Sequence, residues 1–251
     1  MGDGGMRLRW GGPLAAALLL ATSGMAGAAE PLTPAQKQAV EQVVRDYLLA
    51  HPELVRDALI ELQRRQEADQ LVSRQVGITE IHEYVATLPA DYVKGDPKAA
   101  TAIIEFFDYR CPYCKAVVPR LEEVIAEDKA VRVVLIEFPI LGDDSLFASR
   151  AAIASRAQGK YLVFHDAMMA HKGSLDQDKI LELAKDSGID VEKLKADMQA
   201  PEVDALIRRH HELAEKLGVN GTPAFVIGQE LVPGAVDAET MKAKIKQARQ
   251  S

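Results

Sequence analysis

The sequence has few cysteines, no excess of basic residues and, beyond its first segment, no apolar run long enough to cross a bilayer. Its 251 residues include two cysteines, Cys111 and Cys114. So few exclude a disulfide-stapled scaffold. A bridge between them would close so short a loop that chain entropy gives it roughly 2 kcal/mol. A zinc site is short of ligands as well. Cys111 and Cys114 supply half of one, but there is no second Cys-x-x-Cys, and His165 with His171, or His210 with His211, could complete it only by an arrangement the spacing does not signal. We therefore expect neither a metal nor a cofactor. A formal charge of −7 argues against a nucleic-acid partner, which a basic patch would mark. Internal repeats and low-complexity tracts are lacking too. The remaining composition, 48% hydrophobic and 27% charged, is that of a globular chain with one sizeable core and an appendage.

Residues 1–29 read as a secretory leader. Arg7 and Arg9 make the positive start, Leu14 to Ala21 the short apolar stretch, and Ala26-Gly27-Ala28 a small-residue cleavage site near Ala28 or Ala29. The expected location is therefore the periplasm or another exported compartment.

Residues 30–77 read as a helical extension. Thr33 is the expected N-cap, Pro34 the first helical residue and Gln36 the partner in a capping box. His51-Pro52 ends that helix and opens the next, which turns polar on all sides from Gln63 and is expected to end at Gly77. A helix polar all round suits a stalk that assembles with other copies. Residues 78–98, with Pro89 and Lys94-Gly95-Asp96-Pro97, read as a linker region.

From residue 99 to 251 strands and helices alternate. Thr101 to Phe107 reads as a buried strand, Pro112 to Glu127 as an amphipathic helix bent or opened at Pro119, and Val131 to Phe138 as the next strand, together one βαβ unit. A helical block follows over about 145–217, then short strands at 224–227 and 230–232, then a helix over 237–249. The six histidines read as surface or boundary residues, and Met168-Met169 as core filling. The fold class is α/β.

A Cys-x-x-Cys where a strand gives way to a helix has a chemical rationale. The first cysteine sits at the helix N-terminus, where unpaired amides and the helix dipole favour an anion. The second, one turn on, can attack a mixed disulfide formed by the first. Cys111 is thus the expected nucleophile and Cys114 the resolving thiol, with Pro112 and Tyr113 tuning the pair. Glu105, between Ile104 and Phe106, is a carboxylate in an apolar strand, either buried or exposed at a strand end. Gly221-Thr222-Pro223 by itself reads as a turn.

Residues Glu105 to Cys114, the Phe138-Pro139-Ile140-Leu141-Gly142 segment, Gly159-Lys160-Tyr161 and Gly221-Thr222-Pro223 together resemble the DsbA-like family of periplasmic disulfide oxidoreductases. The resemblance implies a thioredoxin-like fold with a helical insertion. It implies that Thr222-Pro223 is a cis peptide facing the cysteines and offering a substrate-binding edge, and that Glu105 assists proton movement. The extension resembles that of the ScsC-like subgroup, which implies a homo-oligomer, a trimer among the options, and disulfide isomerase activity. Expected partners are exported client proteins with cysteines and a membrane redox partner. The alternatives are a dithiol oxidase that donates disulfides and, from another class, a chaperone or copper-binding module.

Overall fold

The computed structural model describes residues 31–250. They form two compact units that divide between Leu59 and Ile60. The leader expected over residues 1–29 lies outside the described residues.

In the first unit, helix α1 (Pro34–Ala50) starts at a complete capping box: the Gln36 amide donates to the Thr33 hydroxyl at 3.3 Å, and the Thr33 amide donates to Gln36 Oε1 at 2.9 Å. The helix stops before Pro52, where α2 (Pro52–Thr87) begins. No residue of α1 is buried; Val40, Val43, Val44, Tyr47 and Leu48 are all exposed.

The second unit is built on a five-stranded sheet in the order β1-β3-β2-β4-β5. Strands β2 (Thr101–Phe107) and β3 (Val131–Glu137) run parallel from Thr101↔Val131 to Phe107↔Glu137, joined by helix α3 (Pro112–Glu127). Strand β4 (Ala224–Ile227) is antiparallel to β2, β5 (Glu230–Pro233) antiparallel to β4, and β1 (Val93–Gly95) antiparallel to β3. Helices α4 (Asp143–Ser155), α5 (Tyr161–Ala170), α6 (Gln177–Asp186), α7 (Val191–Asp197) and α8 (Pro201–Leu217) make the insertion, and α9 (Ala238–Ala248) ends the described fold. This is the α/β thioredoxin-like fold with a helical insertion, preceded by helices.

Because side chains alternate along a strand, the sheet buries two faces. Ile103, Phe107, Val133, Leu135 and Phe225 share one core with Val117 and Leu121 of α3 and Phe164 and Met168 of α5. Ile104, Phe106, Val134, Ile136 and Val226 share the other with Leu213 and Leu217 of α8.

Three expectations need correction. Helix α2 does not end at Gly77 but runs on to Thr87. A β-carbon there would come within 3.1 Å of the backbone at Lys216 and Leu217, so the glycine serves the close approach of α8. Residues 78–98 are not a linker. Ile78, Ile81 and Val85 are buried in the second core, each worth roughly 1.5–3 kcal/mol, and Val93 to Gly95 form a strand of the sheet. The histidines, finally, do not all lie at the surface: His165 and His210 are buried. His210 Nδ1 lies 3.0 Å from the Glu137 carbonyl and Nε2 lies 2.8 Å from the Tyr84 hydroxyl, so a neutral ring satisfies both contacts. Helix α3 also stays continuous across Pro119. Met168 and Met169 are core residues, as expected.

Candidate active site

Strand β2 ends at Phe107, and a short turn delivers Cys111 to the N-cap of α3 with Pro112 as the first helical residue. Asp108 shapes that turn. Its buried carboxylate accepts the Arg110 amide at 2.8 Å, the amides of Ile140 and Leu141 at 2.9 and 3.1 Å, and the Ser145 hydroxyl at 2.8 Å. The cysteine turn, the loop after β3 and the first turn of α4 thus share one acceptor.

Both cysteines are free thiols. Cys114 is wholly buried, whereas Cys111 keeps 4% of its surface. The Cys111 thiol donates to the Thr222 carbonyl at 3.2 Å, and the Thr222–Pro223 peptide bond is cis. Cys111 is held down to about 5. The Cys114 thiol contributes most, the Thr222 side chain and the amides of Tyr113 and Cys114 add to it, and burial opposes them. Cys114 is driven far up, first by burial and then by its bond to Cys111. The two sulfurs therefore differ in the sense that an attacking and a waiting thiol require. Tyr113, by contrast, is exposed.

Glu105 is buried. It shares the alternation of Ile103 and Phe107, the face that carries Cys111, Cys114 and Val117, and it sits in register between Leu135 and Phe225. Its Oε1 has no hydrogen-bond partner. Burial is the main cause that raises its carboxyl to about 8, with Lys94 opposing and Cys111 adding to the rise.

A second buried carboxylate was not singled out from the sequence. Glu137 lies at the end of β3 and accepts the hydroxyls of Tyr109, Tyr161 and Ser149, each at 2.8 Å. Burial lifts it to about 8 against those three donors. His165 Nδ1 lies 3.1 Å from the Tyr109 hydroxyl oxygen. Burial holds His165 down to about 3, so the ring is neutral, and the contacts close when it donates to Tyr109 and Tyr109 donates to Glu137. The two carboxylates share a sheet face but differ in role: Glu137 is saturated with donors, whereas Glu105 has a free oxygen near the thiols. The sequence signal for Glu137 was the one that marked Glu105, an acid among strand apolars.

Among the described residues, no group of three or more His, Cys, Asp or Glu side chains is placed to hold a metal ion. Cys111 and Cys114 thus have no third ligand beside them there.

The model of the DSBA-like thioredoxin domain matches residues 102–246. The chain belongs to that family. Its Cys111–Cys114 pair is the redox dithiol of this thiol–disulfide oxidoreductase fold. A second model, the N-terminal domain of the copper resistance protein ScsC, matches residues 36–69. A thioredoxin-like oxidoreductase from Silicibacter pomeroyi is 41% identical, with a TM-score of 0.62 over 66% of this chain and 99% of that one. A linker-deletion mutant of Proteus mirabilis ScsC is 27% identical, with a TM-score of 0.63 over 89% of this chain and 99% of that one. The match also extends to a Na+/H+ antiporter, NhaA 3 of Salinispora tropica, 26% identical over 63% of this chain, of whose length the chain spans 24%.

Proposed function

We propose that the chain exchanges disulfides with exported client proteins and acts as a disulfide isomerase. One observation carries the exchange chemistry: Cys111, at a helix N-terminus and depressed to about 5, lies against the Thr222–Pro223 edge while Cys114 stays protonated behind it. The Cys111 thiolate attacks one sulfur of a client disulfide. A mixed disulfide forms and the other client sulfur leaves as a thiolate. That thiolate attacks another disulfide of the client, and the thiolate so freed attacks the client sulfur of the mixed disulfide, which closes a rearranged client disulfide and expels Cys111 as a thiolate. When the client stalls, Cys114 attacks the Cys111 sulfur, releases reduced client and leaves the Cys111–Cys114 disulfide. Cys114 must lose a proton to do so, and the unpartnered Glu105 is the acceptor we assign to it. Pro112 and Tyr113 tune the thiolate, while Thr222 and Pro223 present a backbone edge that pairs with an extended client.

Isomerisation rather than simple exchange is supported by α1, whose apolar side chains are exposed along its length. Such a helix suits assembly with further copies, and several dithiols in one assembly can act repeatedly on one misfolded client. The second reading is a dithiol oxidase. It is favoured by the depressed Cys111, since a stabilised thiolate stabilises the reduced form and makes the disulfide more oxidising.

Scrambled ribonuclease tests the proposal. The intact protein should restore its activity in a catalytic amount, and Cys111→Ala should not. Full reshuffling by Cys111→Ala, or a protein without a redox-active dithiol, overturns it. The resting state in the compartment separates the two readings: mostly reduced for an isomerase, oxidised for a donor.

A further inference from the structure

Helix α2 carries Arg74 into a groove next to the reactive thiol. The groove, about 430 Å³, is lined by residues 218–224, by Leu231, Pro233 and Gly234, and by Arg74. Arg74 is its one ionisable lining residue. Thr222 and Pro223 form part of its wall, and the Thr222 carbonyl also accepts the Cys111 thiol. A segment joined to Cys111 through its own cysteine and laid along the Thr222–Pro223 edge therefore places a flanking side chain at the groove.

The guanidinium is only partly used. Arg74 Nε donates to the Leu217 carbonyl at 3.1 Å, and the neighbouring Ser73 hydroxyl donates to the Lys216 carbonyl at 3.1 Å. These bonds close the carbonyl end of α8. Among the described residues no hydrogen bond engages Nη1 or Nη2, and Arg74 pairs with no carboxylate. A β-carbon at Gly218 would sit 3.4 Å from Arg74 Nη2 and 2.9 Å from Gln70 Nε2, so the absence of one keeps two N–H donors open on that side. Nε is fixed to the protein while the outer edge of the guanidinium stays free, and a planar cation of this kind recognises a carboxylate. Arg74 also falls between the two matched segments, 36–69 and 102–246.

We propose that Arg74 is a specificity-determining residue that favours clients with an aspartate or glutamate beside the reactive cysteine. This rests on the exchange chemistry above and names the class of client segment that the site prefers.

The test compares three peptide disulfides of one length, with glutamate, glutamine or lysine flanking the cysteine, as substrates of the intact protein. The glutamate peptide should show the highest kcat/KM, about two- to fivefold above the glutamine peptide as for a single partly exposed ion pair, through KM and with loss of the difference at high salt. Arg74→Gln should level the three, Arg74→Lys should keep much of the order, and Arg74→Glu should reverse it. A residue that merely caps α8 would lower stability without changing the order. Equal rates for all three peptides with the intact protein, or an order unmoved by Arg74→Glu at intact fold, overturns the proposal. Exchange of no peptide at all would instead count against the exchange chemistry itself.

Discussion

At the scale of single residues, Cys111 and Glu105 pull stability in opposite directions with pH. Cys111 is depressed from an ordinary thiol value to about 5. A depressed acid adds stability that is fully present above its unfolded value and lost as pH falls through its folded value. The reduced protein should therefore gain stability over the oxidised one as pH rises from about 5 to about 8.5, read as the difference in their Tm across that range. Iodoacetamide trapping should titrate one thiol with a midpoint near 5. A midpoint above 8 would remove the basis for Cys111 as nucleophile. Glu105 has the reverse sign. Its raised carboxyl contributes stability that is complete below about 4.3 and is lost as pH rises through about 8. Glu105→Gln should thus be more stable than the parent at pH 9 by about 2 kcal/mol, since a buried unpaired charge is gone. It should also slow release of the mixed disulfide by Cys114 without moving the Cys111 midpoint far. Unchanged release kinetics would deny Glu105 the proton. Much at this scale was legible in the sequence, because Cys-Pro-Tyr-Cys before a helix and an acid among strand apolars are local signals. The largest cause of the Cys111 depression was not legible. It is the bond from the Cys114 thiol, a fact of side-chain geometry that spacing alone does not state.

At the scale of elements, Asp108 does most to join the pieces. It binds the turn after β2, the loop after β3 and the first turn of α4 through four donors. Asp108→Ala leaves three buried or half-buried N–H groups and one hydroxyl without their acceptor. A loss of about 3 kcal/mol or more is expected in urea unfolding, and with it a less depressed Cys111, since the turn that sets its N-cap is loosened. Near-parent stability would mean that the two loops hold themselves. Elements also show where sequence reading fails. The strands over 101–107 and 224–227 were read within their observed limits because both are short, mostly apolar runs bounded by turn residues. Gly77 misled because a glycine in a polar helix looks the same whether it ends the helix or lets α8 approach it. Strand β1 has three residues in a stretch rich in proline and glycine, and only its partner β3 reveals it.

At the scale of the whole molecule, two buried neutral histidines set its response to acid. Burial holds His165 down to about 3 and His210 down to about 4. A depressed base costs stability as pH falls below its unfolded value, so both weaken the fold progressively below about 6.5. The other whole-molecule proposal is assembly. Helix α1 buries nothing and leaves Val43 67% and Tyr47 56% exposed. An amphipathic helix does not stand alone in water with such a stripe uncovered, and a second copy of the same helix is the surface of matching shape and polarity. Val43→Asp with Tyr47→Asp places charges four residues apart on that stripe, far in sequence from the dithiol. Light scattering should then show the parent as a homo-oligomer and the double variant as a monomer, with the thiol midpoint near 5 retained in both. The variant should keep exchange with small peptide disulfides while losing most reshuffling of scrambled ribonuclease, because only the latter needs several dithiols around one client. Equal masses for parent and variant would leave the apolar stripe unexplained by self-assembly. Full reshuffling by a monomer would separate isomerisation from assembly.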